Sequence, residues 1–81
     1  MDIPIHFYSY CKDLTGCAQS TETLPAGSTI ADLLRQLTTR FPKLEEMKKC
    51  TLVAVGVDYQ DRHYVLRPGD EVSLFPPVQG G

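Results

Sequence analysis

The chain is 81 residues long with a net charge of -2, 42% apolar and 22% charged residues, a composition typical of one small globular domain. A domain of this size buries only about 60–65% of its unfolded surface, so a second domain or a large catalytic cleft beside a core is excluded. The mild acidity argues against nucleic acid or an anionic membrane as the main partner, because both need a basic face.

In chain order, Ile3-Pro4-Ile5-His6-Phe7-Tyr8-Ser9-Tyr10 alternates with the period of a strand. Ile3, Ile5 and Phe7 form the inward set; His6, Tyr8 and Tyr10 form an aromatic second face suited either to cover by a partner or to cross-strand pairing. Pro4 suits a strand start or edge. Cys11 to Gly16 reads as a short helical turn closed by glycine. Ser20 to Leu24 is a threonine-rich strand, antiparallel to the first if a hairpin joins them, and Pro25-Ala26-Gly27 is a turn.

The spacing from Thr29 predicts a helix. Thr29 can cap it, and Asp32 can return the bond while favouring the positive end of the helix dipole. Ile30, Leu33, Leu34 and Leu37 then repeat at i, i+3, i+4 and i+7, Phe41 continues the row, and Pro42 stops it. Lys43 to Lys49 reads as a turn of helix with Leu44 and Met47 against the body; Glu45-Glu46 and Lys48-Lys49 form a solvated face. Leu52 to Val57 is a strand, either buried on both faces or central in a sheet. Asp58 to Arg62 is a polar loop carrying Tyr59, and Tyr64 to Leu66 is a short element. Arg67-Pro68-Gly69-Asp70 fits a type II turn, with proline presetting φ and glycine accepting φ > 0. Glu71 to Phe75 is the last strand, with Val72 and Leu74 on one side and Phe75 on the other.

Strand, strand, helix, short helix, strand, short element, strand is an α+β order, and a sheet wrapped on the leucine helix buries that helix in two layers. The expected division is a domain over 1–75 and an extended tail over 76–81. Pro76-Pro77 ends the last ladder, and Val78-Gln79-Gly80-Gly81 carries a carboxylate outward, the two glycines lacking the Cβ atoms that would block close approach.

The sequence contains no phosphate loop, nucleophile elbow or His-x-x-x-His. Cys11, Cys17 and Cys50 are odd in number and form no Cys-x-x-Cys, which predicts reduced thiols in a cytosolic protein and no metal. No segment approaches the ~18 apolar residues of a membrane span, and no secretory signal opens the chain. The α-carboxylate of Gly81 is the reactive group to consider. Adenylation would give it a leaving group, after which sulfur would form a thiocarboxylate or an amine an amide, within an enzyme that encloses the tail.

The pattern Leu66-x-Pro68-Gly69-Asp70-Glu71-Val72-x-Leu74-Phe75-Pro76-Pro77-Val78-x-Gly80-Gly81, behind an Ile/Phe strand and a Thr-capped leucine helix, resembles the small sulfur-carrier subunit of molybdopterin synthase. The resemblance spans the whole chain. Its specific part is Phe-Pro-Pro-Val-x-Gly-Gly; the Gly-Asp-Glu-Val turn is shared with ubiquitin-like domains generally. It implies a ubiquitin-like β-grasp fold with a mixed sheet of four to five strands, and a carrier that is not an enzyme by itself. It implies that a ubiquitin-activating-like adenylyltransferase transiently places AMP on Gly81. A sulfurtransferase-derived persulfide then supplies sulfur, and the tail, Pro76 to Gly81, enters the large subunit of a heterotetrameric synthase to serve cyclic pyranopterin monophosphate. Phe75 matches the family's interface phenylalanine, and with Tyr8 and Tyr59 it is expected to form a docking patch. Gly56 stands where many members carry Asn, and Lys12 where Arg is common. A thiamine-type sulfur carrier and a ubiquitin-like modifier joined to lysines through Gly81 are the competing readings.

Overall fold

A computed structural model describes residues 1–47 and 51–76, without the side chains of residues 46 and 47. The expected contact of Met47, the charge run through Lys48-Lys49, and Cys50 therefore lie outside the described residues, as do Pro77, Val78, Gln79, Gly80 and Gly81. Five strands form one mixed sheet: β1 (Asp2–Phe7), β2 (Gln19–Thr23), β3 (Leu52–Val55), β4 (Asp58–Tyr59) and β5 (Val72–Phe75), in the spatial order β2-β1-β5-β3-β4. Two helices, α1 (Tyr10–Thr15) and α2 (Ile30–Arg40), and a 3-10 turn over Pro42–Met47 complete the elements of the described residues. The first and last strands lie side by side and parallel in the middle of the sheet, and every other pairing is antiparallel.

The inward faces follow the alternation read from the sequence. Ile3, Ile5 and Phe7 from β1, Val72 and Leu74 from β5, and Val53 from β3 are almost wholly buried against Ile30, Leu33 and Leu37 of α2. Leu44 on the 3-10 turn and Leu66 before the last turn close the ends of this core. β3 has paired neighbours on both sides, as its apolar run predicts.

Hydrogen bonding explains Pro4. Met1 and Leu24 exchange both backbone bonds, at 2.7 and 2.9 Å, and the Phe7 N–H donates to Ala18 at 2.8 Å. Odd-numbered residues of β1 thus bond toward β2 and even-numbered ones toward β5. The nitrogen of Pro4 faces the β5 side just short of Ile5, where the pairing with Val72 begins, so its missing donor costs no ladder bond.

The start of α2 is fully satisfied. The four N–H groups of Thr29, Ile30, Ala31 and Asp32, which have no partner within a helix, donate in order to Asp32 Oδ2, the Tyr64 carbonyl, the Arg62 carbonyl and Thr29 Oγ1. Asp32 Oδ2 accepts from the Thr29 N–H at 2.9 Å, completing a reciprocal cap. The short element expected over Tyr64–Leu66 is this strap: Val65 bridges Thr29, and the Leu66 N–H reaches Ser28 at 2.8 Å.

Three expectations are corrected. The first strand ends at Phe7, and Tyr10 belongs to α1 rather than to the outer face of the sheet. Val57 is not a strand residue: Gly56 turns the chain at φ 62°, as the first position of a two-residue hairpin turn requires. Val57 is left 95% exposed at the tip. Beyond the turn, Asp58-Tyr59 forms the short strand β4 rather than part of a loop.

Candidate docking surface at the root of the tail

Phe75 is the last residue of β5 and faces away from α2. Its register partner on β3 is Leu52, and on its other side the Tyr8 N–H donates to the Leu74 carbonyl at 3.1 Å. That bond extends the parallel pairing one residue beyond β1 and sets Tyr8 beside Phe75. The two rings stack with centroids 4.8 Å apart and planes 7° apart. Tyr59 arrives from β4 and meets Phe75 edge to face at 6.3 Å and 71°. Both geometries suit the quadrupole of aromatic rings. Ala54 stands between, in register with Ser73 on one side and Tyr59 on the other; its small side chain leaves Tyr59 room to lean diagonally across β3. His6 continues the row beyond Tyr8, 6.5 Å from it.

The three residues expected to form one patch therefore do meet, with Phe75 half-buried at the centre while Tyr8 and Tyr59 remain 45% and 68% exposed. Such a surface offers ring area and two hydroxyl groups without a formal charge. Pro76 follows Phe75 at once. The patch thus lies at the end of β5 beside Pro76, and the tail residues beyond Pro76 lie outside the described part.

One contributor was not readable from the sequence. Ser9 adopts φ 53°, ψ -129°, a conformation that favours glycine. It sits second in a turn closed by the Cys11 N–H donating to the Tyr8 carbonyl at 3.0 Å. The turn takes the chain directly from Tyr8 into α1, so the Tyr8 ring stays beside Phe75 while Tyr10 is carried off the sheet. Ser9 carries no sequence signal of this role, since serine is common in ordinary turns.

A match to the ThiS family runs over residues 5–81. The chain belongs to the ThiS family. Among relatives, this ThiS-family chain is 31% identical over 81 residues to the molybdopterin synthase sulfur carrier subunit of Arabidopsis thaliana, covering all of this chain and 84% of the relative. Among solved structures, SAMP1 from Haloferax volcanii superposes with a TM-score of 0.88 at 21% identity, with both chains wholly covered. A chain of the protein-protein complex of subunits 1 and 2 of molybdopterin-converting factor from Helicobacter pylori superposes with a TM-score of 0.70 at 22% identity, again over both whole chains. These superpositions establish the ubiquitin-like β-grasp fold.

The remaining candidates lie elsewhere. Cys11 is buried in the core, and desolvation pushes its thiol above the ordinary range, which makes it a packing residue rather than a nucleophile. Cys17 is half-buried. Among the described residues no group of His, Cys, Asp and Glu is arranged to hold a metal, and no helix is long and apolar enough to cross a membrane. A second surface feature, an open groove of about 780 Å³, runs between β2 and α2 and is lined by Glu22, Asp32, Arg35, Gln36 and Arg40 among others. Glu22, only 2% exposed there, gave no sign of burial in the sequence.

Proposed function

We propose that this chain is the sulfur-carrier subunit of a molybdopterin synthase, acting through the α-carboxylate of Gly81. An adenylyltransferase joins that carboxylate to the α-phosphate of ATP and releases pyrophosphate. A persulfide sulfur, supplied by a sulfurtransferase, attacks the activated carbonyl and displaces AMP. A thiol then cleaves the acyl disulfide and leaves the thiocarboxylate. In the large subunit this sulfur passes to cyclic pyranopterin monophosphate. The carrier contributes a reactive end and a means of docking, and its partners contribute the catalysis. Membership of the family and full-length similarity to a sulfur carrier subunit support the reading. The observation that carries it structurally is the Tyr8–Phe75–Tyr59 patch at the base of the tail, because two successive partners must grip one small domain while its last residues enter an enclosed site.

The deciding measurement is the intact mass after incubation with the adenylyltransferase, ATP and a persulfide donor. A gain equal to the difference between sulfur and oxygen is expected, and it should vanish on deletion of Gly81 with the melting temperature unchanged. Attachment of the chain to lysines of other proteins would instead identify a modifier. A sulfur-loaded chain that serves thiazole synthesis and not the pterin would identify a thiamine-type carrier.

A further inference from the structure

At the edge of the sheet opposite β4, β2 has β1 on one side and no strand of the described residues on the other. The hydrogen-bond parity of the β1–β2 pair fixes which groups face outward. Met1–Leu24 and Phe7–Ala18 are bonded positions, so Gln19, Thr21 and Thr23 turn their N–H and C=O groups away from β1. Exposed edges of this kind are templates for another strand. Neither lysine nor proline, the usual guards of an edge, occurs in Gln19-Ser20-Thr21-Glu22-Thr23.

Protection comes instead from α2. Arg40 Nη1 donates to the Thr21 carbonyl at 3.5 Å, and Gln36 Nε2 donates to the Thr23 carbonyl at 3.3 Å. Both side chains are anchored by the buried carboxylate of Glu22. Gln36 Nε2 reaches Oε1 at 2.9 Å and Arg40 pairs with Oε2, while the Ser20 hydroxyl donates to the same oxygen at 3.4 Å. The pair joins a carboxylate only 2% exposed to a guanidinium 54% exposed, so the cation lies at the surface, over the outward carbonyl of Thr21.

We propose that Glu22, Gln36 and Arg40 form a latch that closes the β2 edge, and that the strand it excludes is β2 of a second copy of this chain. Antiparallel pairing of two copies centred on Thr21 would bring Thr21 opposite Thr21, Thr23 opposite Gln19 and Glu22 opposite Ser20. All the groups facing the new ladder are then the outward ones, and no like charges stand opposed. The edge is self-complementary, and among the described residues the two α2 side chains occupy its Thr21 and Thr23 carbonyls.

The test is self-association of the full chain. Glu22→Leu combined with Gln36→Ala and Arg40→Ala removes the anchor and both donors together, so no charge is stranded in the interior. Sedimentation equilibrium should show its dimer dissociation constant falling at least about tenfold relative to the unaltered chain, as expected for two freed hydrogen-bonding positions. Hydrogen exchange should show the Thr21 and Thr23 amides gaining protection as the dimer forms. Adding Thr21→Pro, whose nitrogen faces outward and so breaks no bond to β1, should restore the original behaviour. The milder Gln36→Ala keeps the Glu22–Arg40 pair, secures the test against misfolding, and should give a smaller shift in the same direction. Unchanged self-association in Gln36→Ala and in the folded triple variant overturns the proposal. So does a dimer that survives Thr21→Pro or leaves the Thr21 and Thr23 amides unprotected.

Discussion

At the scale of single residues, the proposed docking patch depends on Phe75, because among the described residues it alone has ring contacts with both Tyr8 and Tyr59. Phe75→Ala should weaken binding to the large subunit and to the adenylyltransferase by about 30-fold, the loss of a central aromatic anchor. Titration calorimetry with each partner checks this, and unchanged affinity for both would remove the patch from the docking argument. The fold should tolerate the change, because a half-buried ring pair contributes only about 0.5–1.5 kcal/mol beyond its area. Ser9 works in the opposite direction. Its backbone costs about 1–3 kcal/mol of strain, so Ser9→Gly should stabilise the domain by about 1 kcal/mol after the extra chain entropy of glycine is deducted. A melting temperature raised by about 4–8 °C is the expected reading; a lowered one would show that the serine conformation is not strained. The outward phase of Phe75 was legible from alternation and its interface role from the resemblance, while outward phase and nearness to the sheet ends grouped Tyr8 and Tyr59 with it. Their meeting was not derivable from the residues, since it depends on strands far apart in sequence lying next to one another. Glu22 was illegible for a related reason: its partners lie on a helix that begins eight residues later, and nothing in a threonine-rich strand marks one position as buried.

At the scale of elements, α2 was the most legible, and its cap gives a pH-dependent test. Thr29→Ala should cost about 1 kcal/mol, read from chemical denaturation. The bond from the Thr29 N–H is the main cause holding the Asp32 carboxyl below its ordinary value; the Thr29 hydroxyl and the Arg35 guanidinium reinforce it, against a desolvation that pushes the other way. A depressed carboxyl stabilises the fold once ionised. This contribution is complete above the unfolded value, about 3.9, and disappears as pH falls through the lower folded value. The unaltered chain should therefore lose stability across that acid window more steeply than Asp32→Asn, compared by thermal melts at low salt, where screening is weakest. The shortest elements were the least legible. β4 has two residues, too few to show any period, and it exists because Gly56 reverses the chain so that Tyr59 pairs with Ala54. Gly69 was readable where Gly56 was not, because Pro68 precedes it and the Asp70 N–H closes the expected turn onto Arg67 at 3.1 Å.

At the scale of the whole molecule, one layer of leucines stands between a five-stranded sheet and water, and so small a core has little in reserve. Leu37 is wholly buried, and Leu37→Ala should remove about 2–5 kcal/mol, a large part of the stability of a domain this size. Urea unfolding checks the prediction; a loss below about 1 kcal/mol would mean that the sheet closes over the gap. The sheet also determines how the protein bears mechanical load. The strands nearest its two ends are direct neighbours and run parallel, with Ile5, His6 and Phe7 in register with Val72, Ser73 and Leu74. Tension applied between residue 2 and residue 75 lies along both strands, so the bonds joining them are sheared together instead of being peeled apart one at a time. A pull on residue 75 against residue 2 is thus carried by the whole row of bonds at once.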